Sequence, residues 1–180
     1  IGEVTELKLI PNQPEPTPEA LKAIENADWI TIGPGSWLSS VMPHFLLGKQ
    51  AEKIQRSKAK KIMVFNLPDK NISDEYSGFS LEAHLQLVLD HIPDLNLDVA
   101  LVDKALAQSE PGFNSLVETC GGEVMGFDLA DSKQTFHHDK QKLSLARSPS
   151  GLPQGALVTN CQVIVLLIRV FVPSVENQYT

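Results

Sequence analysis

"ADWITIGPGSWLSSVMPHFLL", Ala27 to Leu47, is the stretch from which the fold can be read. It opens with a short apolar run, "DWITI" (Asp28–Ile32), which Gly33-Pro34-Gly35-Ser36 cuts off. Continuous apolar runs of this length suit strands covered on both faces, as in parallel sheets. "KIMVFN" (Lys61–Asn66), "DVALVD" (Asp98–Asp103) and "EVMGFD" (Glu123–Asp128) have the same character. "VTELKLI" (Val4–Ile10) alternates in part and reads as a strand near the start.

Helices fill the gaps between these runs. Thr17 is placed to cap a helix that begins at Pro18, carries Glu19 in its first turn and buries Leu21, Ile24 and Ala27. Ser80 caps a second, whose apolar face is Leu81, Leu85, Val88, Leu89 and Ile92, up to Pro93. A third runs from Phe113 to Cys120 and stops at Gly121-Gly122. A weaker helical pattern covers Met42 to Arg56. Strand and helix thus alternate, which defines an α/β fold with a doubly wound, mostly parallel sheet.

Composition narrows the function. The net charge is −7, and Lys and Arg concentrate only at Lys58, Lys60 and Lys61, which argues against nucleic acid as a partner. Two cysteines, Cys120 and Cys161, form neither a disulfide framework nor a zinc pattern, and a reducing, cytoplasmic setting is expected. The apolar run "QVIVLLIRVFV" near the end falls short of the roughly 20 residues that span a bilayer. It is either a last buried strand or sequence unrelated to the domain, so residues 148–180 are treated as an unassigned tail. The first segment reads as a strand entering mid-domain, as in a fragment.

Ligands of doubly wound sheets bind off the carboxyl ends of the strands. That rule selects Gly33-Pro34-Gly35-Ser36, Asn66-Leu67-Pro68, Asp103-Lys104 and Asp128-Leu129. Gly33 and Gly35 let the backbone approach an anion, and Ser36, Ser39 and Ser40 add hydroxyls. The plain alternative is a strand-to-helix turn with a capping serine. Asn66 either bonds a ligand or braces the neighbouring loop. His84 is either packed or a contributor to the site. The His138-Asp139 pair either faces the site or starts a helix with Asp139 as its cap. No nucleophile elbow and no metal-ligand spacing stands out.

These residues resemble the YvcK/CofD superfamily, in its YvcK-like, actinobacterial gluconeogenesis-factor branch. The family's signature reads A-D-x-I-x-x-G-P-G-S-x-x-T-S-x-x-P-x-L-L, with Ser39 here in place of the usual Thr. "IMVFNLP", "SGFSLEAHLQLVLDHIP" and "HHDKQKL" continue the likeness, collinear from Ile1 to about Arg147. The resemblance implies the carboxyl-terminal part (residues 1–147) of a Rossmann-like domain that holds a nucleotide or nucleotide sugar. It places Gly33, Pro34, Gly35, Ser36, Ser39, Asn66, Glu75, His138 and Asp139 at the ligand site. Three departures stand out: the loop "DKNISDEYSGF" keeps the family's glutamate as Glu75 but not its glycine and threonine, the family's first glycine loop has no match, and the likeness stops near Arg147.

Two activities follow from the resemblance. One is a regulator that binds a UDP-N-acetylglucosamine-type ligand without turnover, linked to gluconeogenic growth, cell shape and cell-wall synthesis. The other is a phospholactyl transferase of CofD type, with a GDP-linked donor, a deazaflavin acceptor and magnesium. Asp69, Asp74 and Glu75 offer no convincing metal pair, which favours the regulator. No cofactor is otherwise expected, and a homo-oligomer is compatible with either.

Overall fold

The computed structural model describes residues 7–67, 80–132 and 137–146, together with the backbone of 163–166. The strands are β1 Trp29–Ile32, β2 Lys60–Val64, β3 Val99–Asp103, β4 Glu123–Phe127 and β5 Val163–Leu166. They form one sheet in the order β4-β3-β2-β1-β5, and every pairing is parallel. The α/β class and the four apolar runs from Asp28 onward are therefore as the sequence indicates. β5 comes from the tail and pairs with β1 in the register Trp29↔Val163 to Ile32↔Leu166.

Successive strand residues point to opposite faces, and both faces are apolar. Ile30, Ile32, Met63, Phe65, Ala100 and Val102 belong to the larger core. Helices α1 (Pro18–Glu25), α3 (Gly48–Arg56), α4 (Leu81–Leu89) and α5 (Pro111–Thr119) pack there through Ile24, Ile54, Leu85 and Phe113. Ile62, Val64, Val99 and Leu101 face the other way, toward Leu129 and Leu143 of α6 (Lys140–Ala146).

The helix starts follow their caps. The Thr17 hydroxyl accepts from the Ala20 amide at 3.2 Å, and Ser80 from Ala83 at 3.0 Å. Gly121, at φ +83°, supplies the left-handed residue after α5.

Two expectations change. Leu7–Ile10 forms no strand: the described part of "VTELKLI" runs straight into the Pro11–Pro16 loop and has no ladder partner among the described residues. The rest of that segment lies outside the described residues. The weak helix over Met42–Arg56 is two pieces, α2 (Pro43–Leu46) and α3, because Leu47 takes an extended conformation (φ −81°, ψ 90°) between them.

Two lysines of the basic cluster, Lys60 and Lys61, are structural. Lys61 is only 1% exposed, and its Nζ donates to the Ser57 (2.8 Å) and Ala59 (3.2 Å) carbonyls. Asp98 accepts from the Lys61 amide at 2.8 Å and from Lys60 Nζ at 2.6 Å, tying the starts of β2 and β3 together.

Candidate functional site

β1 ends at Ile32, and Gly33 follows at φ +72°, joined to Pro34 by a cis peptide. A Cβ on Gly33 would stand 2.6 Å from the Val64 carbonyl oxygen, so a side chain cannot pass the end of β2 this closely. Ser36 then opens a π-helical turn, Trp37–Val41. Its hydroxyl accepts from the Ser39 amide at 3.2 Å, and its carbonyl accepts from the Ser40 (2.9 Å) and Val41 (3.1 Å) amides.

Asn66 clamps the loop from the neighbouring strand end. Its Oδ1 accepts from the Gly35 amide at 3.1 Å, and its Nδ2 donates to the Gly35 carbonyl at 2.9 Å. The carboxamide thus replaces a strand partner for a residue that has left the sheet. Of the two roles open to Asn66, the structure displays the brace. The Gly35, Ser39 and Ser40 amides are thus spent inside the loop.

The residue before Asn66 organises the rest. Phe65 contacts the Trp37 ring at 5.9 Å and the Phe113 ring edge-on at 4.9 Å. His84 of α4 stacks on Trp37, centroids 4.6 Å apart at 23°. This packing makes His84 part of the wall behind the loop. The Phe65 carbonyl also accepts a hydrogen bond from the His138 ring. Burial lowers the His138 pKa, against the opposing pull of that bond and of the Asp103 carboxylate.

Asp139 takes the capping role. Its Oδ1 accepts from the Gln141 (2.8 Å) and Lys142 (3.0 Å) amides at the start of α6, and its amide donates to the Leu129 carbonyl. Asp103, at the end of β3, accepts from the Ala105 (3.0 Å) and Leu129 (3.2 Å) amides and so fixes the loop after β4. Gly33, Pro34, Gly35, Ser36, Ser39 and Asn66 are therefore one unit, and His138 joins it through Phe65. Glu75, with Asp69 and Asp74, lies outside the described residues. Among the described residues no group of three or more His, Cys, Asp and Glu gathers to hold a metal.

Sequence reasoning passed over Trp37 and Phe65, the residues that connect the loop, His84 and His138. A tryptophan directly after the GPGS loop was the available signal.

A second, polar cleft of about 440 Å³ lies at the other end of the molecule, between α1 and α3, lined by Glu25, Lys53, Arg56 and Lys58 among others. Its charges largely pair within it, Lys53 with Glu25 (3.3 Å) and Arg56 with Glu52 (3.0 Å).

Parallel strands, a glycine-bearing loop at their carboxyl edge and helices on both faces define a Rossmann-like α/β domain. The chain belongs to the CofD family: the family model described as 2-phospho-L-lactate transferase CofD matches residues 2–143. The chain is 35% identical over 146 residues to the "Putative gluconeogenesis factor" of Mycobacterium tuberculosis (strain H37Rv), covering 79% of this chain and 42% of that protein. It is 38% identical over 103 residues to the "Gluconeogenesis factor" of Halalkalibacterium halodurans, covering 57% and 30%. The crystal structure of a UPF0052-family member from Bacillus halodurans superposes with a TM-score of 0.63 at 30% identity, covering 77% of this chain and 49% of that one. The chain thus spans less than half the length of these relatives. Family membership and the YvcK-like affinity are as the GPGS, Phe-Ser and His-Asp motifs suggest. No helix among the described residues is long and apolar enough to cross a membrane.

Proposed function

We propose that this protein is a regulator of the gluconeogenesis-factor kind that binds a nucleotide sugar of the UDP-N-acetylglucosamine type. The ligand diphosphate lies against Gly33-Pro34-Gly35-Ser36, meeting the Trp37 and Leu38 amides and the Ser39 hydroxyl. Binding alters the engagement of a partner, without turnover. The setting is the cytoplasm, and the process is growth on gluconeogenic carbon sources, with cell shape and wall synthesis. The observation that carries this reading is the two-point clamp of Asn66 on Gly35. It fixes the loop at the carboxyl edge of the sheet, where ligands of such sheets bind, and so supports the reading. The names of the relatives support the regulatory side.

The family model's own description favours a second reading, a phospholactyl transferase. That reading calls for a GDP-linked donor, a deazaflavin acceptor and magnesium. For magnesium the sequence offers Asp69, Asp74 and Glu75, which make no convincing pair of ligands.

Calorimetric titration separates the two. The chain is titrated with UDP-N-acetylglucosamine, and separately with GDP and magnesium chloride, alongside a Ser39→Ala variant. Loss of one hydroxyl hydrogen bond should weaken UDP-sugar binding about three- to tenfold. Binding of GDP with magnesium alone moves the assignment to the transferase. Binding of neither leaves the loop as a turn and sinks the proposal.

A further inference from the structure

Basic residues concentrate in the sequence at Lys58, Lys60 and Lys61. Two of them are spent on the protein itself, Lys60 on Asp98 and Lys61 on the Ser57 and Ala59 carbonyls. Lys58 is exposed and enters no ion pair among the described residues. It lines the polar cleft of about 440 Å³ between α1 and α3. That cleft stands at the amino ends of the strands, since α1 leads into β1 and Lys58 leads into β2. The glycine loop leaves the opposite, carboxyl end of β1.

Four cations line the cleft, Lys49, Lys53, Arg56 and Lys58, against two carboxylates, Glu25 and Glu52. This is a local surplus of positive charge in a chain of net charge −7. Among the described residues no aliphatic or aromatic side chain lines it, so it offers nothing for a base or a flavin ring to pack on. Helix carboxyl ends ordinarily leave unmet carbonyls and negative potential at such a place. Here the protein meets several of them. Lys61 Nζ, buried one hydrogen bond behind the lining residue Ser57, donates to the Ser57 carbonyl at 2.8 Å and the Ala59 carbonyl at 3.2 Å. The Ser57 hydroxyl donates to the Ile24 carbonyl at 3.4 Å, and the Asn26 side chain to the Lys22 carbonyl at 2.9 Å. Carbonyls at the ends of α1 and α3 are thus met without drawing on the cations of the cleft.

The ion pairs in the cleft are open to exchange. Lys53–Glu25 and Arg56–Glu52 join side chains between 38% and 77% exposed, and exposed pairs of this kind contribute little to stability. An entering anion can take over both cations while the glutamates turn to water. The Arg56 guanidinium brings the forked donors that fit a phosphoryl group, and Lys53 and Lys58 add point charges. The volume suits a small molecule.

We propose that the cleft between α1 and α3 is a second ligand site, which takes a small, wholly polar metabolite carrying phosphoryl groups and holds it through Lys53, Arg56 and Lys58. The site is separate from the glycine loop and stands whether or not the loop binds a nucleotide sugar.

The chain is titrated calorimetrically with sodium pyrophosphate in a buffer free of phosphate and magnesium, and in parallel with citrate. We expect pyrophosphate to bind, and citrate to bind at least about fivefold more weakly, because its carboxylates are spread apart and fit the forked donors less well. Arg56→Gln should weaken pyrophosphate binding about tenfold. Glu52→Gln releases Arg56 from its pair and should tighten it about two- to threefold. Both side chains are exposed, so the melting temperatures of the two variants should stay close to that of the wild type. Backbone ¹H–¹⁵N spectra locate the anion, since the glycine loop is a diphosphate site in the reading above. Shifts over residues 53–58 support the proposal, whether or not the loop also responds. Shifts confined to Gly33, Gly35 and Ser36 overturn it. Absence of pyrophosphate binding, unchanged affinity in Arg56→Gln, weaker binding in Glu52→Gln or equal affinity for citrate overturns it too.

Discussion

The site depends on individual backbone positions, and its glycines are not equivalent. Gly33 sits at φ +72° with the Val64 carbonyl 2.6 Å from where a Cβ would be, whereas Gly48 has nothing within 4 Å. Gly33→Ala combines a left-handed strain of about 1–2 kcal/mol with a clash against β2, so at least about 2 kcal/mol of stability should be lost. Gly48→Ala, at an exposed helix start, should be neutral or stabilising by up to about 1 kcal/mol. Urea denaturation of both variants checks the contrast, and equal costs would contradict it. Asn66→Asp makes a different point. A carboxylate cannot donate to the Gly35 carbonyl, so the clamp turns into a repulsion. The loss of that bond should cost about 1–3 kcal/mol, and the added charge should weaken binding of any anionic ligand. Wild-type stability in Asn66→Asp would mean the clamp does not hold the loop. The glycine requirement showed in the sequence, because GPGS directly follows an apolar run. The partner of Gly35 did not. Residues 35 and 66 meet only because β1 and β2 are parallel neighbours, which periodicity in one segment does not encode.

Among the elements, strands and capped helices declared themselves, because hydroxyl caps and apolar runs are local signals. The segment from Trp37 to Arg56 did not. A π-helical turn, α2 and α3 follow one another there, joined by a buried polar pair, His44 and Gln50. Gln50 Nε2 donates to His44 Nδ1 at 2.8 Å, so the imidazole must stay neutral, and burial lowers its pKa to about 4. Protonation would set two donors face to face. The folded-state pKa lies below the unfolded value of 6.5, so the unfolded chain binds the proton first as pH falls. The stabilisation is complete above pH 6.5 and is lost between there and about pH 4, amounting to about 3 kcal/mol. His138, also lowered, adds in the same direction. Denaturant midpoints measured from pH 7.5 to 4.5 should decline over that window, and His44→Leu should flatten the decline whatever its own starting stability. An unchanged slope in His44→Leu would remove His44 as the cause. Ser80→Ala should cost α4 about 1 kcal/mol through its N-cap, with no change in pH dependence.

At the scale of the whole molecule the position of the loop follows from strand order. From β1 the chain builds outward through β2, β3 and β4, then β5 returns to the other side of β1. Open α/β sheets bind ligands where the order reverses, and Gly33 leaves β1 at that reversal. Sequence could not supply this fact, because the apolar run near the end reads equally as a buried strand or as unrelated sequence. In the structure Val163–Leu166 pairs along all of β1 and covers its outer edge. Ending the chain at Arg147 would leave the backbone donors and acceptors of Trp29–Ile32 open on that side, in a strand whose Ile30 and Ile32 belong to the main core. An uncovered edge of this kind recruits other chains. The truncated protein should therefore elute as higher oligomers in size-exclusion chromatography, melt at a lower temperature and lose the UDP-N-acetylglucosamine binding proposed above, since the strand on one side of the loop is gone. A truncated chain that stays monodisperse with unchanged melting and binding would show that the sheet and its site are complete in four strands.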